Sequence, residues 1–286
     1  MIPAAFDYVA PTTIAEALAA LADGGEDAKF LGGGQSFLPV LRLRLAAPTT
    51  VIDLGKVAEL RGVSVEGEEV VIGAMTTHHD VLTSAEVAEH AALLALTTAT
   101  VADPAIRHRG TLGGALSHAD PAGDLGAAVL ALDASMVIAS PDGSTRTVGA
   151  ADFFTDFFTT AVEPGELLTQ IRIPKHTGWG AQYEKFNRVA QAWSIVAVAA
   201  ALKIDGGTVT EARVALTNMA STPLRAAGVE AALVGQPATV ESFRAAAEHA
   251  AEGTSPGSDI GADAEYRTHL AGVLTRRALA TAAGVA

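Results

Sequence analysis

The sequence predicts an α+β protein in two parts, residues 1–177 and a smaller α+β part over 178–286. Three observations lead there. Strand and helix signals are interleaved without the strict βαβ repeat of a parallel sheet. Two glycine clusters, Gly32-Gly33-Gly34 and Gly113-Gly114, interrupt apolar segments. Pro174, Gly178 and Gly180 then punctuate the chain, and strand signals followed by three helical stretches come after them.

The opening Phe6-Asp7-Tyr8 is extended, and Thr12 to Leu21 carries apolar residues at helical spacing with Thr12 or Thr13 as the cap. Lys29 to Leu31 reads as a buried strand running into Gly32-Gly33-Gly34-Gln35-Ser36, with another strand at Thr50 to Leu54. Between them, the alternation Leu41-Arg42-Leu43-Arg44-Leu45 reads as a strand or a solvated edge. Val70 to Ala74 is a strand after the charged turn Glu66 to Glu69, and Leu82 to Thr100 is one helical stretch rich in Ala and Leu. Ala127 to Leu132 stays apolar, Ala134 to Ser140 is a strand, Pro141-Asp142-Gly143 a turn, and Arg146 to Val148 the returning strand. Glu163 to Glu166 turns the chain into a strand at Leu167 to Ile173. In the last third, Ala181 to Asn187 is strand-like, Ile195 to Ile204 is apolar, Asp205-Gly206-Gly207 is a hairpin turn and Arg213 to Thr217 a strand. Ala226 to Leu233, Val240 to Glu252 and Ala264 to Ala283 are helical.

Composition narrows what such a fold does. Hydrophobic residues are 49% and charged residues 18% of the 286, mixed along the chain, which excludes a disordered protein. With 19 basic against 32 acidic residues the net charge is −13, so no Lys/Arg face is available for nucleic acid or an anionic membrane. The absence of cysteine rules out a disulfide, a thiol nucleophile and an iron–sulfur cluster on the chain's own ligands. Redox chemistry would therefore use an organic cofactor or a cluster on a partner chain. Met1 to Tyr8 has no basic stretch followed by an apolar core, and no run is long enough for a transmembrane segment, so the expectation is a cytoplasmic protein.

The first glycine cluster is the most informative local feature. Three consecutive glycines let successive backbone N–H groups face one anion without a Cβ in the way, and Gln35 and Ser36 add an amide and a hydroxyl. The same letters also read as a tight turn. Gly34-Gln35-Ser36-Phe37-Leu38 lacks the closing glycine of a nucleophile elbow, Gly55-Lys56-Val57 is no phosphate loop, and Phe37 stands where a dinucleotide fingerprint needs its third glycine. The second cluster, Thr111-Leu112-Gly113-Gly114-Ala115, is followed by Asp120 and Asp124, whose carboxylates suit ribose hydroxyls or ring N–H groups. Asp120 also reads as a cap for the helix after Pro121. His118 and Asp120 have no third ligand in reach of the pattern, so no metal is expected.

Taken with blocks that run through nearly the whole chain, the two clusters resemble the paired FAD-binding motifs of the molybdenum hydroxylase flavoprotein family. The blocks include Val71-Ile72-Gly73-Ala74-Met75-Thr76-Thr77, Ala102-Asp103-Pro104, Ile106-Arg107, Glu163 to Thr169, Tyr183-Glu184-Lys185 and Leu216-Thr217-Asn218. Ala264 to Thr268 and Leu270 to Ala278 resemble the carbon monoxide dehydrogenase branch in particular. The resemblance implies a two-subdomain, vanillyl-alcohol-oxidase-like (PCMH) FAD-binding domain, with subdomains of about 1–57 and 58–177. It also implies a C-terminal domain of antiparallel sheet and helices over 178–286. By the same carry-over, Gly32, Gly33, Gly34, Gln35 and Ser36 bind the pyrophosphate, and Thr111, Gly113, Gly114, Ala115 and Asp124 contact FAD, with Val101 and Asp120 beside them. Leu168 falls beside the isoalloxazine and Lys185 where the family places a polar or cationic contact. Two departures stand out: Ala115 replaces an asparagine common in relatives, and Trp193 occupies a region where relatives place a tyrosine near the flavin, so it stacks there or is a core residue.

What the resemblance implies for function is an electron-transfer subunit with no catalytic residue of its own. A large subunit with a molybdenum pterin cofactor would oxidise the substrate, and a small subunit with two 2Fe-2S clusters would relay electrons. FAD on this chain would pass them to an external acceptor such as a quinone. The implied assembly is a dimer of heterotrimers (a heterohexamer), cytoplasmic, with a peripheral position at the inner face of the membrane left open. The implied reaction is CO + H2O to CO2. The alternatives are the medium subunit of another molybdenum hydroxylase, acting on an aldehyde, purine or N-heterocycle, and a self-contained FAD oxidoreductase.

Overall fold

A computed structural model describes residues 2–285. The chain begins with β1 (Asp7–Val9), α1 (Ile14–Gly24), β2 (Ala28–Leu31), α2 (Phe37–Leu43) and β3 (Thr50–Asp53), and its three strands pair in parallel in the order β1-β3-β2. Thr13 caps α1 by accepting from Glu16 N, while the Glu16 carboxylate reaches back to Thr12 N at 2.7 Å. The segment Leu41 to Leu45, read as a strand or edge, is instead the end of α2. Pro39 sits at its third position, where an N–H has no intrahelical acceptor and its loss is harmless. Arg44 then closes the helix in the left-handed region at φ 58°.

A five-stranded antiparallel sheet follows. It is built from β4 (Val63–Glu66), β5 (Glu69–Gly73), β6 (Ser135–Ala139), β7 (Thr145–Gly149) and β10 (Leu167–Pro174), in the order β4-β5-β10-β6-β7. Between β5 and β6 lie α3 (His78–Thr83), α4 (Ala85–His90), α5 (Ala92–Ala99), α6 (Pro104–Arg107), α7 (Leu112–His118) and α8 (Asp124–Ala131). α9 (Ala150–Phe153) and the small hairpin β8 (Phe154–Asp156) and β9 (Thr159–Thr160) come between β7 and β10. The single helix expected over Leu82 to Thr100 is broken twice. Ser84 is extended and caps a new start by accepting from Val87 N, and Ala91 leaves helical geometry before α5.

The last third forms a four-stranded antiparallel sheet, β11 (Gly180–Phe186), β12 (Val196–Asp205), β13 (Thr208–Thr217) and β14 (Leu224–Arg225), covered by α10 (Ala227–Leu233), α11 (Val240–Ala247) and α12 (Ala264–Ala282). The helix read over Val240 to Glu252 ends early, at Ala247. β12 explains the long apolar run. Val196 to Leu202 are all buried, with Val196, Val198, Ala200 and Leu202 facing a core shared with α10 to α12. Ala197, Ala199 and Ala201 face the core that holds α5, α8 and the five-stranded sheet. A strand covered on both faces loses polar alternation. Among the described residues no helix is long and apolar enough to cross a membrane.

Candidate functional site

The two glycine clusters meet in space. A Cβ on Gly32 would lie 3.2 Å from Thr111 Oγ1 and 3.6 Å from Gly114 Cα, and one on Gly33 would run into the Arg109 carbonyl and stand 2.5 Å from Gly110 Cα. Gly34 has φ +76°, a conformation costly for a side chain. Among the described residues, the amide N–H groups of Gly33, Gly34, Gln35 and Ser36 donate to no protein acceptor, and the Gln35 side chain reaches back to Gly33 O. Half-buried amides without an internal partner form a concavity suited to an anion. Of the two readings open for this loop, a tight turn or an anion cradle, the free amides support the cradle.

Thr111 caps α7, its Oγ1 accepting from Gly114 N at 3.2 Å. Gly113 N donates to Ala74 O at 2.8 Å, and a Cβ there would strike Ala74, so α7 lies directly on the end of β5. Gly114 and Ala115 are exposed on the opposite side. Beneath the junction, His78 N donates to Gly110 O at 2.9 Å. Burial, with the Arg107 guanidinium nearby, pushes the His78 imidazole down to about 4. Leu168 is buried in the core, but its neighbour Thr169 sits at a bulge of β10 and accepts from Ala74 N, which ties that strand to the junction.

A second cluster gathers Asp124, Lys185, Tyr183 and Ser194 against Thr100, with Val101 and Trp193 adjoining it in sequence. Asp124 is buried; its Oδ2 accepts from Lys185 Nζ at 2.7 Å, and its Oδ1 accepts from Tyr183 Oη at 2.8 Å and Ser194 Oγ at 2.7 Å. Lys185 Nζ also donates to Thr100 O at 3.2 Å. Burial first, and the Asp124 charge second, push the Tyr183 phenol well above its ordinary range, so it stays a donor. Val101 and Ala102 hold a loop by accepting from Arg107, and Gln191 donates to Asp103 across the gap. Between these loops is a cleft of 390 Å³ lined by Thr100, Ala102, Tyr183, Lys185 and Asn187. A larger cleft of 930 Å³ separates α1 from the outer face of the five-stranded sheet and is lined by Leu18, Val137, Ser140, Thr169 and Gln170.

Some sequence expectations land elsewhere. Trp193 is 54% exposed, which removes the core alternative. Asp120 Oδ1 accepts from Ala122 N in its own turn, and Gly123 rather than Asp120 opens α8. His118 Nε2 lies 4.0 Å from Asp120 Oδ2, and among the described residues no group of three His, Cys, Asp or Glu could hold a metal ion. Sequence reading missed Tyr183, Ser194, Thr100 and Arg109. The i, i+2 spacing of Tyr183 and Lys185 on a strand puts both on one face and was the available signal for the first.

Residues 4–176 match the FAD binding domain in molybdopterin dehydrogenase, and residues 181–282 match the CO dehydrogenase flavoprotein C-terminal domain. The carbon monoxide dehydrogenase medium chain of Hydrogenophaga pseudoflava is 42% identical over 282 residues, covering 98% of this chain and 97% of that one. The glyceraldehyde dehydrogenase medium chain of Sulfolobus acidocaldarius is 35% identical, covering 97% and 98%. Among solved structures, carbon monoxide dehydrogenase from Hydrogenophaga pseudoflava superposes with a TM-score of 0.96 at 43% identity, covering 100% of this chain and 99% of that one. Quinoline 2-oxidoreductase from Pseudomonas putida 86 superposes at 0.94 and 36%, with the same coverage. With both domains matched in order and a cradle of free amides at the junction of its glycine loops, the chain belongs to the FAD-binding flavoprotein family of the molybdopterin dehydrogenases.

Proposed function

We propose that the chain is the electron-transferring FAD subunit of a carbon monoxide dehydrogenase complex that converts CO and water to CO2, two protons and two electrons. The observation that carries the reading is the run of free amides from Gly33 to Ser36, where that loop meets Thr111 to Ala115, a cradle suited to an FAD pyrophosphate. When bound, FAD supplies a centre that accepts and donates electron pairs. The chain's own part is to hold and orient it. Gly33, Gly34, Gln35 and Ser36 neutralise the pyrophosphate with backbone dipoles, so no cationic side chain is needed there. Lys185 and Thr100 wall the smaller cleft and, with Val101 and Trp193, are assigned to the isoalloxazine end. Leu168, which the resemblance puts beside the isoalloxazine, is buried next to Thr169, whose carbonyl accepts from Ala74 N and so ties that segment to the junction. The Asp124 carboxylate and Thr100 O hold the Lys185 ammonium in place, a net-neutral ion pair that keeps a charged N–H donor at the ring end.

We assign the electron source to a small subunit with two 2Fe-2S clusters and CO oxidation to a large subunit with the molybdenum pterin cofactor, in a dimer of heterotrimers. A quinone is the external acceptor, met at the inner face of the membrane by an otherwise cytoplasmic complex. We divide the chain at 177/178 into the FAD domain, with subdomains near 1–57 and 58–177, and the C-terminal domain. The test is the flavin content and activity of the native complex. About one FAD per chain together with CO-dependent reduction of a dye supports the reading. Flavin with turnover of an aldehyde or N-heterocycle but not CO moves the chain to another molybdenum hydroxylase, and an intact complex without flavin removes the cofactor assignment.

A further inference from the structure

The clearest surface unused by this reading is α2 and the turn after it. In a chain of net charge −13, no acidic residue stands between Asp27 and Asp53, and Arg42 and Arg44 lie inside that gap. The arginine ion pairs of the described residues run through Arg146, Arg172, Arg213, Arg225 and Arg267, which leaves the Arg42 and Arg44 guanidiniums without a carboxylate. Around them Leu43 is 58% and Leu45 75% exposed, Leu38 is exposed too, and Ile2 is drawn alongside by Arg44 Nε donating to its carbonyl. Only Leu41 of this helix is buried. Arg44 holds a left-handed backbone that favours glycine, so a bulky cation is kept there against local preference.

We propose that this leucine and arginine face is a docking surface for a protein partner that presents an apolar patch ringed by carboxylates. Exposed leucines supply contact area, and unpaired guanidiniums supply bidentate donors that select acidic partners. One cation on a seven-residue helix and one at its C-cap fall short of the polybasic cluster and second anchor that stable membrane binding needs, which favours protein over lipid. The inference rests on the subunit reading above and takes the partner to be another subunit of that complex.

The test compares co-purification and dissociation constants of the native complex for the wild-type chain and three variants: Leu43→Ser with Leu45→Ser, Arg42→Glu, and Arg44→Gly. Each variant is expected to keep the thermal midpoint of the chain and to weaken assembly about tenfold or more. Arg42→Glu should also flatten the salt dependence of association. Arg44→Gly gives the sharpest contrast, since glycine suits φ 58° and the midpoint should hold or rise while assembly weakens. Variants that assemble with wild-type affinity overturn the inference and leave the subunit reading standing. Unchanged assembly with loss of wild-type binding to phosphatidylglycerol vesicles assigns the face to lipid and also overturns it. A wild-type chain that isolates without partner subunits overturns both.

Discussion

His78 lies under the glycine junction with its Nδ1 unpartnered and its ring edge against Gly110, where a Cβ would meet His78 Cδ2 at 2.8 Å. Its folded value of about 4 against the ordinary 6.5 makes the native state bind fewer protons than the unfolded chain between those limits. The stability it contributes is therefore complete above pH 6.5 and is lost as pH falls towards 4, by about 3 kcal/mol in all. Urea midpoints measured across that window should show this slope, and His78→Phe should flatten it. Gly33→Val should open the junction, because its side chain meets the Arg109 carbonyl before it meets any ligand. We expect a loss of about 1–3 kcal/mol in denaturant titration together with loss of flavin from the complex. At this scale the letters Gly-Gly-Gly and Thr-x-Gly-Gly left a tight turn and an anion cradle both open, and the reason for two of the glycines is visible only in the fold, where a Cβ on Gly33 or Gly113 would strike the facing backbone. The partners of Asp124 were not legible, since Tyr183, Lys185 and Ser194 reach it from distant strands and loops.

At the scale of elements, helices with caps and strands with turn residues were readable, whereas segments decided by neighbours were not. The Asp205-Gly206-Gly207 hairpin turn joins β12 and β13 as its letters suggest, with both glycines at positive φ. α2 was misread because a five-residue alternation carries no information about whether a strand lies beside it, and none does. β12 presents the opposite case. Its alanines carry little signal alone, yet they let helices pack closely on both faces of the sheet. Ala199→Leu would add bulk on the face towards α5 and α8 in a fully buried position. A cost of about 1–3 kcal/mol is expected, read as a lowered thermal midpoint, with bound flavin retained where the chain still folds.

At the scale of the whole molecule, α8 joins the part that carries the glycine junction to the last sheet. All eight of its residues are buried, and a charged contact holds each end. At its start Asp124 meets Lys185 and Tyr183 on β11; just beyond its end Asp133 accepts from Arg213 Nε at 2.7 Å and Arg225 Nη1 at 2.6 Å, on β13 and β14. The two ends differ in exposure, and that sets the magnitudes. Lys185→Met leaves Asp124 buried without its cation and should cost about 3–5 kcal/mol. Asp133→Asn acts on a half-exposed carboxylate and should cost about 1 kcal/mol or less. The ends are separated by the length of the helix, roughly 12 Å at 1.5 Å per residue, beyond the range at which substitutions usually couple. The double variant should therefore lose the sum of the single losses to within about 0.5 kcal/mol in urea titration. A loss well beyond the sum would mean that α8 shifts as a body once one end is released, which would carry a disturbance at Asp133 to Lys185 and the smaller cleft.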